Sequence, residues 1–171
     1  MTRNEPESIK DFKNAFATTL LRWQSIENNL FLIFYYLVQP HRNPSILSVI
    51  YYSFRSIQAR IEMIDAVAKE DLKDDKDLKE WKRLLKQIKI NLGYRNKLAH
   101  LALTMQTDNG KAVPLLRPSL FNVKVKQDEI SGYSTEEMDK WCKSFRNLAS
   151  EMAKFLDKLP QMPRVVVKSP F

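Results

Sequence analysis

At 171 residues, 44% of them hydrophobic, the chain is long enough to bury a core without covalent staples, and a single domain spanning residues 1–171 is expected. Lys and Arg number 28 against 20 Asp and Glu, a net charge of +8 that suits a polyanionic partner and equally a plain solvated basic surface. One cysteine and two histidines exclude a disulfide framework and a Cys/His metal cluster, and three glycines argue against phosphate-cradling loops, so no metal and no cofactor is expected.

The first residues, Met-Thr-Arg-Asn-Glu-Pro-Glu-Ser, hold no apolar run of the signal-peptide kind. The longest apolar stretch, Leu30 to Val38, falls well short of the roughly 20 residues that a spanning helix needs. A soluble protein of a reducing cytoplasm, with no membrane partner, is the expectation.

The first helix is predicted from Ser8 to about Gln39, with Ile9, Phe12, Phe16, Leu20, Trp23, Leu30, Phe34 and Leu37 on one stripe and Pro40 ending it. Glu27 fills a gap in that stripe. Leu30 to Val38 is apolar all round, so more than one face must be covered, by a second helix or by another subunit. Gln39 to Pro44 reads as a turn, with Asn43 as N-cap and Pro44 at the first helical position. His41 lies in this turn and reads as surface.

A second helix carries Ile46, Ile50, Phe54, Ile57, Ile61, Ile64 and Ala68 at steps of three and four. It fades into the charged run Lys69 to Asp77, read as a solvated loop. Arg55 and Arg60 flank its stripe, where either can meet phosphate or simply stay in solvent.

The third helix is predicted from Asp77 to His100 or Leu101, with Leu78, Trp81, Leu85, Ile88 and Leu92 in register. The next places in that register are Arg95 and Ala99. A guanidinium in a packing position costs several kcal/mol in rough terms unless it is paired, so Arg95 has either a structural partner or a job. Pairing with Glu27 is the simplest structural answer. Asn96 and His100 are four apart and share a face.

After His100 the period changes. Leu101 to Thr107 alternates loosely, Asp108-Asn109-Gly110 signals a tight turn, and Phe121 to Lys126 alternates strictly, which predicts a small antiparallel β element between about 102 and 126. Pro114 and Pro118 confine its middle to an edge or an irregular path. This insertion is either a flap over a substrate or a surface decoration. The last helix opens on the capping box Ser134-Thr-Glu-Glu137. Its stripe is Met138, Trp141, Cys142, Phe145, Leu148, Ala149, Met152, Phe155, Leu156 and Leu159, which makes Cys142 a core residue. Pro160 ends it, and residues 160–171 form a short tail. The fold class is therefore all-α, an antiparallel bundle of four long helices with a β-hairpin inserted before the last.

The run Arg95-Asn96-Lys97-Leu98-Ala99-His100, closing a long amphipathic helix among four, resembles the Arg, polar residue, spacer, His signature of the HEPN superfamily. Many members of that superfamily are metal-independent endoribonucleases of toxin and antiviral defence systems. The resemblance covers residues 8–159 in architecture and only this hexamer in residues. It implies RNA as substrate, with His100 as base or acid, Arg95 as electrostatic stabiliser and Asn96 as organiser, and with Tyr94 and Lys97 as candidate contacts to phosphate or base; Arg60 joins these candidates from its place beside the second helix's stripe, not from the resemblance. It also implies a homodimer whose two motifs share one cleft, and an antitoxin or other regulatory protein as a further partner. Some family toxins carry a modifiable Tyr two residues past the His, where this chain has Ala102.

Two alternatives stand beside that reading. One is a non-catalytic HEPN-like module that binds RNA, nucleotide or protein. The other makes Arg95 a packing residue paired with Glu27 and His100 a helix-terminal residue favoured there by the dipole.

Overall fold

The computed structural model describes residues 7–38, 43–108, 110–118 and 131–159. These hold five helices and one antiparallel hairpin: α1 (Glu7–Val38), α2 (Pro44–Ser53), α3 (Ile57–Asp71), α4 (Asp75–His100), β1 (Ala102–Asp108), β2 (Lys111–Arg117) and α5 (Thr135–Leu156). The predicted strand Phe121 to Lys126, the turn around Pro40 and His41, and the tail from Pro160 lie outside the described residues. The chain divides into two compact units, Met1–Ile26 with Lys86–Ala149, and Glu27–Leu85 with Ser150–Phe171, and α1, α4 and α5 each contribute a segment to both.

The first unit has its core on Phe12, Trp23, Ile88, Leu92, Met138 and Phe145, each no more than 6% exposed. Burying side chains of this size stabilises by about 1.5–3 kcal/mol each. Trp23 meets Phe145 edge-on at 5.3 Å. Thr19, fully buried, donates from Oγ1 to the Ala15 carbonyl at 2.7 Å and lies 3.3 Å from that of Met138. A hydroxyl on the buried face of α1, outside the predicted stripe, is thereby satisfied against the first turn of α5.

α5 enters much as its sequence prescribes. The Glu137 carboxylate accepts from the Ser134 backbone N–H at 3.0 Å, the returning half of the capping box. Ser134 Oγ donates instead to Glu136 at 2.5 Å, and this bond holds the Glu136 carboxyl below its usual range. All of the predicted α5 stripe is buried except Ala149, which is half-buried.

The second unit contains the largest departure from expectation. The single helix predicted from Ile46 to Ala68 is two helices, broken at Phe54 to Ser56. Ser56 caps α3 by accepting from Ala59 N at 3.1 Å, and Phe54 is extended (φ −75°, ψ 115°). The buried face of α2 is Leu47 and Tyr51, whereas Ile46 and Ile50 of the expected stripe are 51% and 40% exposed. On one straight helix that face would stand roughly 80° away from Ile61, Ile64 and Ala68, and the break lets α2 turn. Tyr51 then packs on Phe31 (5.2 Å) and Phe34 (5.8 Å), so α2 covers part of the stretch that is apolar all round. Asn43 and Pro44 start α2 as predicted, Asn43 Oδ1 accepting from Ser45 N at 2.9 Å.

The charged run after α3 is a second correction. Helix continues to Asp71 and resumes at Asp75, leaving Leu72 to Asp74 as the link rather than a long solvated loop. Leu72 is buried, and its N–H closes α3 on the Ala68 carbonyl at 3.0 Å. Asp65 ties α3 to α4, accepting from Trp81 Nε1 at 3.1 Å while pairing with Lys69 at 2.7 Å.

Candidate functional site

The motif occupies the last two turns of α4, in the first unit. Arg95 is half-buried rather than set into the core, and Asn96, Ala99 and His100 are exposed. The buried line along α4 runs through Leu84, Ile88, Asn91 and Leu98, with Arg95 between the last two. This corrects the expected continuation of the stripe through Arg95 and Ala99. The physical cause is the breadth of the covered face. Near the end of α4 it centres on Leu98, and Arg95 falls at its margin, where a long side chain can bury its stem and keep its guanidinium wet.

Arg95 Nη1 donates to Asn96 Oδ1 at 3.5 Å, the long limit of a hydrogen bond. Arg95 and Asn96 are thus in contact on an accessible helix end, and His100, exposed one turn beyond Asn96, shares a face with Asn96 while Arg95 stands about 140° around from it. Glu27, the partner expected for Arg95, belongs to the other unit, where its carboxylate is close enough to act on the Tyr51 phenol. Burial raises the pKa of that phenol first and most, the nearby Arg60 cation opposes the rise, and Tyr52 and Glu27 add to it.

The other three sequence candidates are engaged with the protein itself. Tyr94 stacks on Trp141 at 5.6 Å with the rings 8° from parallel, and Trp141 meets Tyr133 at 5.0 Å. Lys97 sets its Nζ 4.3 Å from the centroid of the Tyr133 ring and donates to the Tyr133 hydroxyl. Arg60 lies in the other unit, with Nε donating to the Phe54 carbonyl at 3.0 Å and its guanidinium 5.2 and 5.1 Å from the Tyr51 and Tyr52 rings. It braces the break between α2 and α3.

Tyr133, which the sequence did not single out, is the centre of the motif's support. It forms a two-bond antiparallel bridge with Leu116, each N–H donating to the other's carbonyl at 2.9 Å, and so attaches the hairpin to the end of α4. Gly132 makes the approach possible at φ +82°, with Arg117 so close that an added Cβ would stand 2.7 Å from Arg117 Cγ. The Asp108 to Gly110 turn closes β1 on β2 as predicted, with Gly110 at φ +76° and Asp108 opposite Lys111. Pro114 sits opposite Met105 in this two-stranded sheet, two residues before the Leu116 that bridges to Tyr133.

A second residue missed from sequence is Asn91, one turn before Arg95 and fully buried. Its Nδ2 donates to the Gln87 carbonyl at 2.8 Å, while its Oδ1 has no partner among the described residues. The signal was available in the line Leu84, Ile88, Asn91, Arg95, Leu98, which places two polar residues in sequence on a core-facing register.

Among the described residues no three His, Cys, Asp or Glu side chains gather as metal ligands, and no helix is long and apolar enough to cross a membrane. Comparison with protein-family models, with curated proteins and with solved structures returns no match to this chain.

Proposed function

We propose that the chain is a metal-independent endoribonuclease of the HEPN type, acting as a toxin or antiviral defence effector. The observation that carries this reading is the accessible end of α4, which carries Arg95 in contact with Asn96 and an exposed His100 one turn further on, in a chain of net charge +8. In this reading α1, the broken α2–α3, α4 and α5 are the four long helices of the family's antiparallel bundle.

Imidazoles as a class exchange protons near neutral pH, which suits His100 to take the proton of a ribose 2′-hydroxyl. The oxygen then attacks the adjacent phosphorus and the 5′-oxygen leaves with a proton, giving a 2′,3′-cyclic phosphate and a 5′-hydroxyl. Arg95 offers a planar fork of donors to the charge that builds on the phosphoryl oxygens. Asn96 holds the Arg95 guanidinium at one end, and His100 of a second copy in a homodimeric cleft supplies the acid for the leaving oxygen. An antitoxin or other regulatory protein would cover the same surface.

The test is cleavage of total RNA by the purified protein in EDTA, with His100→Ala alongside and mass measured by light scattering. Cyclic-phosphate ends formed in EDTA by a dimer, and lost in the variant, support the proposal. No cleavage by a folded dimer leaves the alternative, a non-catalytic HEPN-like module binding RNA, nucleotide or protein. The engagement of Tyr94 and Lys97 in packing favours that alternative. RNA affinity that does not fall between low and physiological salt would point to a protein partner.

A further inference from the structure

In the first unit a cavity of about 260 Å³ opens between α1 and the hairpin, lined by Phe12, Lys13, Phe16, Leu101, Leu103 and Leu116. Phe12 and Phe16 stand one turn apart on α1. Leu103 and Leu116 are cross-strand partners on one face of the hairpin, and Leu101 directly follows His100. Phe12 and Leu116 are each 2% exposed and form the floor, whereas Leu103, 44% exposed, stands at the mouth with the exposed Lys13.

We propose that this cavity is a nucleobase subsite, taking the base of a nucleotide whose phosphate lies toward the Arg95–His100 end of α4. The inference rests on the ribonuclease reading for the identity of its ligand. Three observations select a base. The volume is just below the range that holds drug-sized ligands, and it suits a single ring system. Phe16, half-buried one turn beyond the buried Phe12, offers an aromatic ring of the kind on which bases stack without regard to sequence. Lys13 at the mouth, on a chain of net charge +8, complements the phosphate that a nucleotide carries and a neutral apolar ligand lacks. The hairpin is then a wall of the substrate site, held in place through the Leu116–Tyr133 bridge.

The experiment is a titration of the whole protein, methyl-labelled at leucine, with each of the four nucleoside 5′-monophosphates, with ribose 5-phosphate and with decanoate. Saturable shifts of the Leu103 and Leu116 methyls with at least one nucleotide, and none with ribose 5-phosphate, are expected. Phe16→Ala should weaken that binding by about 5- to 150-fold, the span of base–aromatic stacking energies. Leu103→Glu, at a half-exposed mouth position, should weaken it as well by setting a carboxylate against the phosphate, with the melting temperature measured beside it.

No shift at millimolar nucleotide, equal shifts with ribose 5-phosphate, or a response to decanoate alone overturns the proposal. The outcome is separable from catalysis. Nucleotide binding in the cavity without RNA cleavage supports the subsite and removes the nuclease, whereas cleavage with no shift at these methyls overturns the subsite and leaves the nuclease standing.

Discussion

Lys97 and Tyr133, 36 residues apart, are joined twice: the Lys97 ammonium sits 4.3 Å from the Tyr133 ring centroid and donates to the Tyr133 hydroxyl. The pair fastens the last turn of α4 to the segment that carries the hairpin. A cation over a partly desolvated ring contributes about 0.5–2 kcal/mol. Lys97→Met should therefore lower unfolding stability by that amount in denaturant titration. Tyr133→Phe keeps the ring and loses the hydroxyl contact, and should cost less. An unchanged midpoint in Lys97→Met would free Lys97 for a role at substrate.

His100 is exposed and makes no packing contribution of note, so His100→Ala should leave stability within about 0.5 kcal/mol while cutting cleavage by about 10²- to 10⁴-fold. Arg95→Ala should cost on the order of 10²- to 10³-fold, and Arg95→Lys should rescue poorly, because an ammonium cannot present the bidentate fork. Initial rates, melting temperature and mass measured together decide this. Parent-like cleavage by both Ala variants returns the two residues to structural roles.

Asn91 separates stability from function. Its carbonyl oxygen is buried without a partner among the described residues, a state that costs about 1–3 kcal/mol, and Leu is close to it in shape. Asn91→Leu should raise the unfolding midpoint. If the buried amide also serves the neighbouring Arg95, cleavage will fall in the same variant, and if it does not, activity will be unchanged.

Tyr51 makes stability depend on alkaline pH. Burial raises its folded pKa above the ordinary phenol value of about 10, so the folded state holds the proton more tightly than the unfolded chain. Its contribution is fully present below about pH 10 and is lost as pH climbs toward the raised value. Because the hydroxyl is also buried without a partner among the described residues, Tyr51→Phe should be at least as stable as the parent at neutral pH. The variant should lose less stability than the parent between about pH 10 and 11, measured by urea unfolding at each pH.

Gly132→Ala tests the hairpin attachment. A side chain at φ +82° is strained, and its Cβ would press on Arg117, whose guanidinium donates to the Ser131 carbonyl at 3.1 Å. A loss of more than about 1 kcal/mol is expected. Weaker hydrogen-exchange protection at Leu116 and Tyr133 would locate it, because their two backbone bonds form the bridge.

The long helices were legible in the sequence because helical periodicity is a local property. The α5 stripe from Met138 to Leu159 alternates by threes and fours, and nearly all of it is buried. Capping and turn chemistry were legible for the same reason, since Asn43, Pro44, Glu137 and Gly110 act within a few residues of themselves. The motif was read as a string, and the string alone placed Arg95, Asn96 and His100 on the last two turns of a helix.

The break between α2 and α3 was not legible, because Ile46 to Ala68 satisfies one helical register without interruption. What overrides it is the aromatic surface of Phe31 and Phe34, which takes Tyr51 rather than Ile50 and requires a rotation that one straight helix cannot supply. Arg95 teaches the same lesson. Its register position is set by sequence, but its exposure is decided by how far the neighbouring elements cover that face of α4, and the cover ends at Leu98. The support of the motif by Tyr133 and Trp141 belongs wholly to tertiary structure. A stacked pair or a cation over a ring joins residues distant in the chain, and no local pattern records which rings will meet.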